Sequence, residues 1–389
     1  MGFWKGRGGL YVAAFLLDMT MAAAGFAVPL YAIELGASGL ALGVIGASPF
    51  AYTLVCLFSG RLSDRLGRRT VAALGCVLVS AAYLAIPHTR TLPTLFVFAV
   101  AVSFSIALIW PPVQAWLSEQ PDRRSLSSSI GIFNVSWSIG IAAGPIVGAR
   151  LVKLDPQLSL PFHVAAGFAL LSILIMYAIK TDGRPVEDLQ PAETPPAGAT
   201  TFLYIAWVTN FASWFTSSCV RALLPKLTRE MHVDDVTLGW LIGSLMAAQT
   251  LMFLILQFSQ KWRYRLGPLV LFPCGSAAGM LLVFFAADWR LWFLGLTLIG
   301  LGCGMTYYAS LFYTLFGRAT GQGKATGFHE AIIGSGLVFG PLLGGISVRL
   351  SGGNLKAPYL LAACVIMITV TVAIGIYIRA ARRHVAGRA

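Results

Sequence analysis

Four ionisable side chains lie inside long apolar runs of this 389-residue chain. They are Asp18 in FLLDMTMAAAGF, Arg221 in SSCVRALLP, and the adjacent pair His329 and Glu330 in TGFHEAIIG. Charge in an apolar setting is costly and is kept for binding or for moving protons. Asp18 could bind a cation or carry a proton, or it could hydrogen-bond a neighbouring helix. His329 titrates near neutral pH and with Glu330 could relay a proton. Successive helical residues point about 100° apart, so the two need not face the same way. The alternative for the pair is a structural ion pair to a loop residue such as Arg318. Arg221, one turn before Pro225, could hold an anionic group, or it could snorkel to a nearby water interface.

The elements that must position these residues follow from composition. Apolar and aromatic types make up 57% of the chain and charged types only 11%, against roughly 25% charged in soluble domains. That leaves too little polar surface for a water-soluble body, and it argues against a soluble enzyme, a disordered chain or a nucleic-acid-binding domain. The net charge of +13 comes from short basic loops between apolar runs, which is a mark of membrane topology.

A membrane-crossing helix needs about 20 mostly apolar residues. Twelve such runs are expected, near 9–33, 40–60, 70–87, 93–116, 127–150, 161–180, 201–225, 236–258, 268–287, 291–316, 326–348 and 359–379. The segment 181–200, TDGRPVEDLQPAETPPAGAT, is rich in Pro and acidic residues and reads as a flexible linker. It divides the chain into an N-terminal six-helix bundle (1–180) and a C-terminal one (201–389). Counting Lys and Arg with the N-terminus in the cytoplasm gives 19 on the cytoplasmic side, 8 on the other, and Arg221 inside a span. The bias puts both termini in the cytoplasm.

The six cysteines all lie in apolar runs, with no CxxC and no His at metal-ligand spacing. No P-loop is present. No metal site, cofactor or catalytic constellation is expected.

The halves repeat at an offset of 196 residues. Gly131, Gly140, Gly144, Pro145 and Gly148 in the fifth run map onto Gly327, Gly336, Gly340, Pro341 and Gly344 in the eleventh. Pro29 maps onto Pro225, and Leu42-Gly43 onto Leu238-Gly239. Gly140, Gly144 and Gly148 recur every fourth residue, on one helix face where another backbone can approach closely; Pro145 adds a kink. Six spans followed by six give halves of the same topology, a parallel repeat about an axis normal to the membrane. Repeats of this kind place a substrate path between the halves.

The loop after the second run reads Gly60-Arg61-Leu62-Ser63-Asp64-Arg65-Leu66-Gly67-Arg68-Arg69. It resembles the G-x-L-x-D-R-x-G-R-R/K signature of the major facilitator superfamily of secondary transporters at every fixed position. The glycine pattern of the fifth run is similar to that family's antiporter motif. Pro29-Leu30-Tyr31 with Leu35-Gly36-Ala37-Ser38 is similar to the first-helix pattern of its drug and metabolite exporter branch. The resemblance covers nearly the whole chain.

It implies an all-α membrane protein of twelve helices in two six-helix bundles that works by alternating access. In the 60–69 loop, Gly60, Asp64, Arg65, Gly67 and Arg68 would form a charge cluster that latches helix ends in one conformation. The basic segment 260–267 has no acid, so the latch is one-sided. Candidates for the substrate cavity are Asp18, Trp110, Gln114, Asn210, Trp214, Arg221, Tyr307 and Tyr308, with Asn134 and Gln249 as further polar lining.

Proton-coupled exporters of this family carry an Arg in the fourth helix. Here that region reads FAVAVSFSIALIWPP, with no charge. Proton coupling would run through Asp18 or through His329 and Glu330, or be absent. The expected function is secondary transport of a small or amphipathic organic solute, exported in exchange for protons by a monomer. Its partners would be the lipid bilayer, the solute and protons, with no nucleic acid. Compact loops suggest a bacterial cytoplasmic membrane. The alternatives are a metabolite or anion importer or facilitator without proton coupling, and a non-transporting membrane sensor.

Overall fold

A computed structural model of the chain describes residues 8–118, 123–179, 196, 198–315 and 322–386. Most of the linker at 181–200 and Arg318 lie outside these residues. The described residues form fourteen α-helices and no strand: α1 (Gly8–Glu34), α2 (Gly39–Gly46), α3 (Phe50–Leu66), α4 (Arg68–Ala85), α5 (Leu92–Ala107), α6 (Trp110–Ser118), α7 (Arg123–Leu154), α8 (Leu160–Ala178), α9 (Ala199–Glu230), α10 (Asp235–Phe258), α11 (Leu266–Phe285), α12 (Arg290–Leu315), α13 (Gln322–Leu350) and α14 (Ala357–Ala386).

Two of the twelve expected runs are broken. The second becomes α2 and α3 around Pro49, and the fourth becomes α5 and α6 just before Trp110-Pro111-Pro112. Proline has no N–H to continue an i→i−4 ladder and is tolerated in a first turn, so each helix stops and restarts there. Pro145 leaves α7 continuous from Arg123 to Leu154. Eleven spans among the described residues are long and apolar enough to cross a membrane. The twelfth, α9, has the length but carries Thr209, Asn210, Ser213, Thr216, Ser217, Ser218 and Arg221. Leucines and phenylalanines stand outward all over the surface, with Phe258 85% and Phe285 72% exposed. This is a surface for lipid, where apolar side chains need no covering.

Glycines set the helix packing, and they do so twice. A Cβ on Gly140, Gly144 or Gly148 of α7 would meet the backbone of α1 at Phe15, Met19 and Ala23. A Cβ on Gly336, Gly340 or Gly344 of α13 would meet α9 at Phe211, Phe215 and Cys219. Both the glycines and their partners are related by the 196-residue offset. The repeat read from motif residues therefore extends to the contacts they make, and the two six-helix bundles are built alike.

The bundles meet along α2 with α13 and α7 with α10. Twelve alternating helical passes, α9 included, bring the start of α1 and the end of α14 to one face of the described structure. On the opposite face Lys226 donates to the Ala37 carbonyl at 2.9 Å and Arg229 pairs with Glu34 at 3.2 Å, tying the bundles together there. Caps order the connections there. Asp155 accepts from the Ser159 hydroxyl and from the N–H groups of Gln157, Ser159 and Leu160. These bonds favour the carboxylate and hold its pKa below the usual value. Asp234 caps α10 through Thr237 and Val236 and is lowered for the same reason.

Candidate functional site

A cavity of about 340 Å³ lies between the bundles. The broken spans line it, α3 through Tyr52 and α5–α6 through Ser103, Trp110 and Gln114, and so do α1, α7, α9, α10, α12 and α13. Its wall is chiefly apolar and aromatic. Trp137 packs edge-on to Tyr307 at 6.0 Å between centroids, Trp214 to Tyr307 at 5.9 Å, and Trp110 to Phe133 at 6.2 Å. Sites of this make-up, with a few polar anchors, suit amphipathic molecules. Gln114 is an exposed wall residue on the side of the chain termini.

Three charged residues reach the cavity: Asp18, Arg221 and Glu330. Asp18 makes no hydrogen bond or ion pair among the described residues. Tyr52 donates to Glu330 Oε2 at 3.4 Å. Arg221 lies on the cavity wall, not at the outer surface, and its Nε is buried with no acceptor. The repeat gives their heights. Asp18 is the counterpart of Trp214, and Arg221 stands seven residues beyond Trp214 on α9, about 10 Å further from the termini-bearing face at 1.5 Å per residue. Gly336 of α13 packs at the level of Phe211 and Phe215. Glu330, six residues earlier, sits about 9 Å nearer that face. The order across the membrane is Arg221, Asp18, Glu330.

Of the residues expected here, Asp18, Trp110, Gln114, Trp214, Arg221, Tyr307 and Glu330 line the cavity. Three do not. His329 turns into the bundle, 1% exposed, with Nδ1 2.8 Å from the Ser310 hydroxyl; its neighbour Glu330 takes the cavity side because successive helical residues diverge. Asn210 is fully buried on α9, one turn from Ser213, which bonds Thr306 of α12. Tyr308 follows Tyr307 by one residue and packs against Trp262 at 5.8 Å. Asn134 is also off the wall and accepts from Trp137 Nε1 at 2.9 Å; Gln249 is 3% exposed.

The sequence reading missed Tyr52, Phe133 and Trp137 as wall residues. The offset held a signal for Trp137, whose counterpart Ile333 lines the other half, as Ile141 and Leu337 do together. Tyr52 carried none.

In the 60–69 loop Asp64 pairs with Arg68 across the α3–α4 joint, where Gly67 has φ +91°, a conformation only glycine takes without strain. Arg68 also bonds the Ser63 hydroxyl at 2.8 Å. Gly60 and Arg65 are open to the surroundings. The longer tie comes from Arg69, which donates to the Ile179 carbonyl at 2.6 Å and stacks over Trp116 and Tyr177.

The family model of the Major Facilitator Superfamily matches this chain twice, over residues 10–207 and 206–388. The chain belongs to that superfamily. That is a family of integral membrane transporters and not of enzymes. An uncharacterized MFS-type transporter of Mycobacterium tuberculosis is 29% identical over 146 residues, 37% of this chain, and the match spans only 34% of that relative. Multidrug resistance protein 1 of Bacillus subtilis is 25% identical over 355 residues, covering 88% of this chain and 87% of that protein. Among solved structures, a bacterial homolog of the human lysosomal transporter Spinster, inward-facing and occupied, superposes with a TM-score of 0.72 at 15% identity, covering 96% of both chains. That likeness concerns the transporter's fold.

Proposed function

We propose that this transporter exports a small amphipathic organic solute in exchange for protons, with Asp18 and Glu330 as the proton-carrying groups. The observation that carries the reading is the pair of carboxyls on one chiefly apolar cavity wall, at two heights along the path between the bundles. A carboxyl that a cationic or polar solute meets in one conformation and a proton meets in another couples the two flows. The named relative from Bacillus subtilis supports export of drug-like molecules.

The seams on the Glu34 face and the exposed Gln114 on the other support a cavity that reaches the side of the chain termini. With the basic loops on that side, it faces the cytoplasm of a bacterial cell, and the protein sits as a monomer in the cytoplasmic membrane. The units of movement are residues 1–180 and 201–389, joined by the linker 181–200. A second reading, an anion facilitator without proton coupling, rests on Arg221 at the wall.

The test is reconstitution in liposomes loaded with a pH-sensitive dye, with cationic, anionic and neutral amphiphiles supplied in turn. Solute-dependent proton flux that is abolished in Asp18→Asn or Glu330→Gln, with solute binding retained in Glu330→Gln, is the expected result. Solute movement with no pH change in the wild type and both variants overturns the exporter reading and leaves the facilitator.

A further inference from the structure

We propose that the cavity selects zwitterionic solutes, holding a carboxylate at Arg221 and an ammonium at Asp18, a substrate class that rests on the transport reading above and narrows it. Arg221 cannot discharge itself, since guanidinium stays protonated. Among the described residues it makes no hydrogen bond or ion pair, with Asp18 and Glu330 included, although all three line one cavity. A permanent cation on a chiefly apolar wall needs a mobile anion, and the cargo is the group that comes and goes.

Asp18 presents the opposite need, a carboxylate with no partner among the described residues. The two are about 10 Å apart along the path, seven helical residues in the repeat's register. Trp214, at the height of Asp18 on the facing helix, and Tyr307 line the wall. The complementary solute has an aromatic or apolar middle and opposite charges at its ends. A simple cation at Asp18 gains one partner but is opposed by Arg221, a penalty of about tenfold in affinity at that distance and an effective dielectric near 20. A zwitterion turns that repulsion into attraction.

Binding can be read from the fluorescence of the cavity tryptophans, in detergent and without any gradient. The probe is 4′-(aminomethyl)biphenyl-4-carboxylic acid, whose charges stand about 10 Å apart to match the helical rise. Its methyl ester keeps only the cation, and its N-acetyl derivative keeps only the anion. The expected result is that the zwitterion binds wild-type protein at least tenfold tighter than either derivative. Arg221→Gln should erase its advantage over the ester without weakening the ester, and Asp18→Asn should erase its advantage over the N-acetyl compound.

Arg221→Lys, which keeps the charge, should retain part of the preference and guards against a folding defect in Arg221→Gln. Equal binding of zwitterion and ester to the wild type overturns the proposal, as does equal weakening of both in Arg221→Gln or no binding of any of the three. If the ester binds as well as the zwitterion yet drives proton flux in liposomes, zwitterion selection fails while proton-coupled export stands. Zwitterion-selective binding without proton flux is the reverse outcome.

Discussion

Gly43 of α2 and Gly345 of α13 face each other so closely that a Cβ on either would lie 2.9 Å from the other's Cα. The second seam is its image under the repeat. Gly239 of α10 sits against the Pro145 carbonyl of α7, as Gly43 sits against that of Pro341. Both seams reach the face bearing Glu34 and Arg229, and the second runs on to Gly131 and Gln257 toward the other face. Because the obstacle to a side chain is backbone, the helices must separate to admit one.

Gly43→Val and Gly239→Val are therefore expected to weaken this closed arrangement by about 1–3 kcal/mol each, the usual cost of overpacking. Solute transport should fall at least tenfold in each, with a lower unfolding temperature in detergent. The effects should match between the two positions, since the contacts do. A Gly43→Val protein with wild-type transport and melting would show that this seam does not carry the closure.

Other glycines meet nothing. Gly167 in α8 and Gly275 in α11 are mid-helix with open space where a Cβ would go. Alanine at either removes backbone freedom from the unfolded chain and should stabilise by about 0.4–1 kcal/mol, visible as a rise in unfolding temperature. Gly144→Ala, aimed at the Met19 carbonyl 2.7 Å away, should lower it. Equal behaviour of the three would mean that helix propensity, not close approach, governs these sites.

The 60–69 loop separates charge from anchoring. The Asp64–Arg68 pair is i,i+4 and Asp64 is 58% exposed, so it is worth well under about 1 kcal/mol. Arg69 satisfies a carbonyl past the end of α8 and lies over two aromatic rings, contacts that Lys cannot reproduce. Arg69→Ala and Arg69→Lys should both lower the unfolding temperature by several degrees, while Asp64→Asn should alter transport with little change in melting. A large stability loss in Asp64→Asn alone would reverse the assignment.

How far the sequence could see depends on what each helix leaves undecided. Span number, the glycine ladders and the repeat were legible because each rests on local composition or on a fixed offset. Orientation about the helix axis was not. An all-apolar helix has lipid, protein and cavity on different sides, and hydropathy does not tell them apart. Hence Tyr307 and Tyr308 were both expected at the cavity, yet only the first lines it. Asn210 was expected there for its polarity and instead lies on the buried stripe that α9 shares with Ser213. The breaks before Trp110 and at Pro49 were written in the prolines, but their consequence, two kinked spans that open onto the cavity, needed the fold.

The adjacent pair on α13 gives the sharpest separation of roles. His329 is 1% exposed and held by Ser310, while Glu330 reaches the cavity and Tyr52. An imidazole held this way is expected to serve structure, and leaving Ser310 without its partner would cost about 1–3 kcal/mol. His329→Asn should lower the unfolding temperature yet keep solute-driven proton flux per folded molecule. Glu330→Gln, close in shape but unable to carry a proton, should melt like the wild type and lose the flux. Tyr52→Phe removes the hydroxyl that donates to Glu330 and should shift the pH dependence of flux without abolishing it. If His329→Asn melts normally and abolishes flux, the proton passes through the imidazole, and the division of labour between the two neighbours is wrong.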